Sequence, residues 1–154
     1  MQVTKRTGDT EDYNVEKIHK VVQQATQDIN GVSFSDIEMN ANLSIYDGIS
    51  TSDIHQILIK SANDLISTTN PNYQYVAARL LNMQLRKEVW GDSTPTNFIT
   101  FVERTVDNGV YDVDFLSRWG PEDLEVFSAY INHGRDEFFT YAGLQQLIDK
   151  YDTD

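Results

Sequence analysis

The side chains best suited to chemistry in this sequence are a scattered set of cations, Lys5-Arg6, Lys17 and Arg86-Lys87, with Thr51 and His55 between them. Their common chemistry would be anion binding. The chain carries a net charge of −12, so any anionic ligand needs local cations that outweigh the repulsion of the whole body. Thr51 stands where a helix should begin, and a helix start offers backbone N–H groups and a positive dipole end to an anion. Taken alone, Lys5-Arg6 is better explained as a solvated hairpin face, and His55 as an ordinary helix-surface histidine.

Other chemistries are excluded more firmly. There is no cysteine, which removes disulfides, thiolate metal sites and cysteine nucleophiles. His19, His55 and His133 lack ligand spacing, so no protein metal site is expected. Neither G-x-x-x-x-G-K-[ST] nor G-x-G-x-x-G nor H-E-x-x-H occurs. The acidic stretch from Asp107 to Asp114 lacks the spacing of a calcium loop and reads as a solvated turn. Net acidity argues against nucleic acid as a partner. No apolar run approaches the roughly 20 residues of a membrane span, and the expected location is the cytoplasm. The acidity is uneven: residues 1–91 hold 8 Lys+Arg against 11 Asp+Glu, and residues 92–154 hold 4 against 13.

The elements that must position these cations follow from patterning. Thr7-Gly8-Asp9 is turn chemistry between Val3-Thr4-Lys5-Arg6 and Asp12-Tyr13-Asn14, which predicts a hairpin. Asn14 should cap a first helix with Val15, Ile18, Val21, Val22, Ala25 and Ile29 at helical spacing, ending near Asn30-Gly31. Ser35 and Glu38 have capping-box spacing for a second helix carrying Ile37, Ala41, Leu43 and Ile45. Thr51 or Ser52 should cap a third with Ile54, Leu58, Ala62, Leu65 and Ile66 in one stripe. Asn70-Pro71 should open a fourth, with Tyr73, Val76, Ala77, Leu80, Leu81 and Leu85 inward. Trp90 to Pro95 reads as a boundary. Beyond it, helical patterns recur around Phe98 to Val106, Val113 to Trp119, Pro121 to Ile131 and Glu137 to Tyr151. The expected fold is therefore mainly α (α+β): a β-hairpin or small three-stranded sheet capping four helices in residues 1–90, then an acidic helical segment, residues 91–154.

The order of these pieces resembles a known family. Val3-Thr4-Lys5-Arg6, Gly8, Glu11, Asn14 and Lys17-Ile18 are followed by Tyr46-Asp47-Gly48-Ile49, Thr51-Ser52-Asp53-Ile54-His55, Asn72 to Leu80 and Leu85-Arg86-Lys87. This succession resembles the ATP-cone of the large, alpha subunit of class I ribonucleotide reductase. Val110-Tyr111-Asp112, His133-Gly134-Arg135-Asp136, Phe139-Thr140-Tyr141 and Gln145-Gln146-Leu147 resemble the helical stretch that leads to that family's catalytic barrel. The barrel itself would follow near Lys150-Tyr151, so the expectation is a truncated or separately encoded N-terminal piece with no catalytic residues.

The resemblance implies a nucleotide site. Positions matching Lys5, Arg6, Thr51 and Lys87 surround phosphates in the family, and those matching Lys17 and His55 lie near sugar and phosphates. Glu11 and Asn14 match the adenine readers, and a carboxylate beside a side-chain amide suits adenine's amino donor and ring-nitrogen acceptor. Ile18 and Val3 would cover the base, with a plain core role equally open. Gln84 stands where some relatives carry histidine, and Met83 where some carry an aromatic residue.

The implied effectors are ATP or dATP, with Mg2+. They would control overall reductase activity through assembly of the large subunit with a radical-generating small subunit, as part of an oligomer. The alternative is a degenerate cone that serves only as a protein-interaction module. A nucleotide-sensing repressor would require a basic or metal-stabilised DNA reader, and the sequence offers none.

Overall fold

A computed structural model describes residues 1–151; the last three residues of the acidic segment expected over 91–154 lie outside the described residues. The chain is mainly helical, with a small antiparallel sheet at its N-terminus. It divides into two compact units, residues 1–85 with 136 onward, and residues 86–135.

In the first unit, β1 (Gln2–Thr4) and β2 (Thr10–Asp12) pair in the register Gln2↔Asp12, Val3↔Glu11, Thr4↔Thr10. The expected turn closes them: the Gly8 N–H donates to Lys5 O at 2.9 Å, and Thr7 Oγ donates to Asp9 Oδ2 at 2.8 Å. Gly8 has φ +89, a conformation that a side chain would strain. The alternation of the pleat turns Val3 into the core, where it is 4% exposed. A third segment joins the hairpin without forming a full strand. Thr4 N donates to Ile49 O at 2.9 Å and Gly48 N to Gln2 O at 2.8 Å, around a single parallel bridge between Thr4 and Ser50.

Four helices cover the hairpin's inner side. Asn14 caps α1 (Val15–Thr26), accepting Glu16 N–H at 2.9 Å. The helix ends earlier than the apolar pattern suggested. Thr26 Oγ donates back to Val22 O and Gln23 O, Gln27 leaves the helical region, and Asp28 takes a left-handed φ of 58. Ser33, not Ser35, caps α2 (Phe34–Asn42), its Oγ accepting Asp36 N–H at 3.2 Å. Ile37 and Ala41 are buried, whereas Leu43 is 86% exposed, because the helix stops at Asn42 and leaves it beyond the inward face.

Ser50, not Thr51 or Ser52, caps α3 (Thr51–Asp64), its Oγ accepting Asp53 N–H at 2.9 Å and donating to Asp53 Oδ2 at 2.7 Å. Ser50 and Asp53 have the capping-box spacing that local sequence can show, and the Thr4 bridge holds Ser50 in extended geometry one residue before the expected cap. Pro71 and Asn72 form a turn whose carbonyls accept Gln74 and Tyr75 N–H groups, and α4 (Tyr73–Trp90) begins two residues after the proline. One core joins Val3, Ile18, Val22, Ile37, Ile49, Leu58, Val76 and Leu80. After a 3-10 turn, His133–Phe138, α8 (Tyr141–Tyr151) adds Leu144, Tyr141 and Ile148 to that core.

The second unit has its own small core. In α5 (Phe98–Asp107), α6 (Phe115–Arg118) and α7 (Pro121–Tyr130), Val102, Val106 and Leu124 are buried and Phe98, Phe101 and Phe115 pack against them. Pro121 opens α7 at a position that needs no donor, and the Gly120 N–H donates to Asp123 Oδ2 at 3.1 Å. Among the described residues, no helix is long and apolar enough to cross a membrane.

Candidate nucleotide site

Glu11 is opposite Val3 on the hairpin, so its side chain leaves on the face that meets α1. There it gathers two of the expected cations. Lys17 Nζ donates to Glu11 Oε1 and Oε2, both at 2.9 Å, and Lys5 Nζ lies 3.2 Å from Oε2. Lys17 reaches the hairpin because it stands three residues past the cap Asn14, on the first turn of α1. Lys5 reaches it from the turn that follows β1. The Lys17 ammonium first, then that of Lys5, holds the Glu11 carboxyl below the ordinary glutamate range, against a smaller opposing effect of desolvation. Side-chain exposures of 46% for Lys5 and 62% for Lys17 keep both side chains within reach of solvent.

Asn14 Oδ1 is committed to the α1 cap, which leaves the amide nitrogen as the group able to donate to a ring nitrogen. Ile18, one turn along α1, is 8% exposed and belongs to the core cluster. Thr51 is the first residue of α3, and the Thr4–Ser50 bridge sets that helix start beside the end of β1, next to Lys5 and Arg6. The same helix start carries Asp53, whose carboxylate already takes the Ser50 hydroxyl.

His55 is not on a helix surface. It is 5% exposed, and its Nε2 lies 2.7 Å from Leu80 O, tying α3 to α4. Beside it, Gln56 Nε2 donates to Gln84 Oε1 at 2.8 Å, so Gln84 makes a second tie between the same helices. Lys87 is in the last turn of α4, within the second unit, where a cation complements the helix dipole.

Sequence reasoning gave no role to Arg79, which organises another part of the first unit. Its guanidinium donates to Gln27 O at 2.6 Å and Ala25 O at 3.4 Å, and to Glu137 Oε2 at 3.2 Å. These bonds satisfy carbonyls at the open end of α1. Its buried Nε has no hydrogen-bond partner. A cleft of about 360 Å3 opens beside Arg79, with Asp28, Asn72 and Glu137 on its wall, and none of the expected nucleotide residues lines it. The one local signal was a cation flanked by the apolar positions Val76, Ala77, Leu80 and Leu81 on α4.

Residues 1–88 match the family description ATP cone domain. The chain belongs to the ATP-cone family. Curated relatives extend the likeness beyond the cone. The chain is 43% identical over 149 residues to ribonucleoside-diphosphate reductase 1 subunit alpha of Escherichia coli (strain K12), a match that covers 97% of this chain and 20% of the relative. It is 44% identical over 149 residues to the Salmonella typhimurium protein of the same name, with the same two coverages. It is 39% identical over 153 residues to ribonucleoside-diphosphate reductase subunit alpha of Enterobacteria phage T4, covering 98% of this chain and 20% of the relative. The ATP-cone chain thus spans about a fifth of the length of these relatives and matches their N-terminal region.

Proposed function

We propose that this ATP-cone binds ATP or dATP as allosteric effectors and controls a ribonucleoside-diphosphate reductase through subunit assembly. The observation that carries the reading is the convergence of Lys5 and Lys17 on one carboxylate, within residues matched to the ATP cone. Two ammonium groups that share a single acidic oxygen form a site for an anion, and the adjacent α3 start adds a favourable dipole.

In this reading Lys5, Arg6 and Thr51 surround the phosphates, a role that the family resemblance also implies for Lys87, and Lys17 and His55 lie near sugar and phosphates. Glu11 and the Asn14 amide read adenine, with Ile18 beneath the base. Burial of His55 restricts it to supporting that wall through α3 and α4. Mg2+ would arrive with the triphosphate, whose oxygens are its usual ligands. A ligand shifts assembly only as far as it prefers one assembly state, so ATP and dATP must differ in that preference. Partners in this reading are the catalytic part of the large subunit and a radical-generating small subunit, in the cytoplasm. The reading assigns regulation to this chain and leaves ribonucleotide reduction to the catalytic part.

Calorimetric titration with ATP, dATP and GTP tests it. Binding of both adenine nucleotides with weaker GTP binding supports the reading, and absence of heat from ATP and dATP refutes it. A protein-interaction role without nucleotide is the second reading, favoured by Val110, Val113 and Tyr130 of the second unit, which are 71%, 73% and 82% exposed.

A further inference from the structure

We propose that Glu11 is an internal counter-ion that holds the Lys5 and Lys17 anion site closed in the ligand-free chain and exchanges its carboxylate for the polyphosphate of an incoming nucleotide. The inference rests on the nucleotide reading above and adds to it an order of events.

Both ammonium groups reach the same oxygen, Glu11 Oε2, at 3.2 Å for Lys5 and 2.9 Å for Lys17, and Lys17 also holds Oε1 at 2.9 Å. Phosphate oxygens would seek these same donors. Until they arrive, the carboxylate neutralises one of the two positive charges, on a body already at −12. A polyphosphate that takes the two ammonium groups leaves Glu11 without its cations. The displaced carboxylate is then an acceptor in search of a donor.

Adenine supplies one in its exocyclic amino group, whereas guanine presents a carbonyl at the corresponding ring position, which a carboxylate repels. Base selection therefore follows phosphate entry. The same side chain screens the site against small anions and then reads the base. Glu11 is well placed for both tasks because its strand position opposite Val3 fixes its root, and only the side chain needs to swing.

The test compares inorganic tripolyphosphate, ATP and GTP on the full chain and on Glu11→Gln, which keeps the length of the side chain and removes its charge. Exposed ion pairs are each weak, so the Gln variant should bind tripolyphosphate roughly threefold to tenfold more tightly at low salt. Its preference for ATP over GTP should shrink. Unchanged or weaker tripolyphosphate binding by the variant, with ATP still bound by the wild type, overturns the exchange. Failure of the wild type to bind ATP or tripolyphosphate instead overturns the nucleotide reading and the exchange with it. A second measurement needs no variant: the carboxyl 13C resonance of Glu11 in the wild type should move when tripolyphosphate binds, and a resonance that stays in place under saturation overturns the exchange.

Discussion

Lys17 and Glu11, six residues apart and on different elements, meet through both carboxylate oxygens at 2.9 Å. The contact joins the hairpin to α1 and sets the side chains on which the nucleotide reading depends. Because it is solvent-exposed, its weight in folding is small. Its weight in binding should be larger, since a bound phosphate would face these ammonium groups directly.

Replacement of Lys5 or Lys17 by Ala should remove a charge-assisted contact to the ligand of about 1.5 to 3 kcal/mol, which is roughly a tenfold to more than hundredfold loss in ATP affinity. Calorimetry on each variant checks this. Affinity that survives both substitutions would place the phosphates elsewhere.

ATP at about a hundred times its dissociation constant should stabilise the folded chain by about 2.7 kcal/mol. For a chain of this size the melting temperature should rise by roughly 5 to 10 °C. Differential scanning fluorimetry reads the shift, and GTP at the same concentration should give a smaller one.

His55→Ala should destabilise the chain in the absence of any nucleotide, because the 2.7 Å contact of its Nε2 with Leu80 O, which ties α3 to α4, is lost. The expected cost is about 0.5 to 1.5 kcal/mol for the lost hydrogen bond, plus the cavity left by the ring. Urea unfolding of the ligand-free variant measures it. Wild-type stability would show that His55 serves a ligand and not the α3–α4 contact.

The Glu11 carboxyl should titrate below the ordinary glutamate range, first through Lys17 and then through Lys5. A carboxyl whose folded pKa is depressed contributes stability above its unfolded pKa and loses it as pH falls through the folded value. Ion pairing should therefore persist below the pH at which an unpaired glutamate protonates. NMR titration of the wild type and of Lys17→Met checks the sign: the midpoint must rise in the variant.

Arg79→Ala should destabilise far more than Glu137→Ala. Arg79 is 17% exposed and carries two α1 carbonyls, so its loss should cost about 1 to 3 kcal/mol. Glu137 is 61% exposed, and removing it should change stability by less than about 1 kcal/mol. Equal effects in denaturant unfolding would contradict the capping role.

Periodicity and turn chemistry made much of the fold legible. The Gly8 turn, the Asn14 cap and the stripes of α3 and α4 are local events, written in residues that touch one another along the chain. What the sequence concealed was set by distant partners. The first helix α1 stopped at Thr26 with Arg79, more than fifty residues away, holding carbonyls at its end. The burial of His55 was hidden for the same reason, since its acceptor belongs to α4. In the candidate site, charge and order put Lys5 and Lys17 forward, but the bidentate contact between Lys17 and Glu11 depends on hairpin register, which no local pattern states.

Leu144 and its neighbours Tyr141 and Ile148 lean on the same core that the first four helices build. A cone excised at residue 88, where the family match ends, would bare that greasy strip to water. Such a fragment should melt sooner and clump more readily than the longer chain, so the terminal helix serves as a lid over the cone's own core.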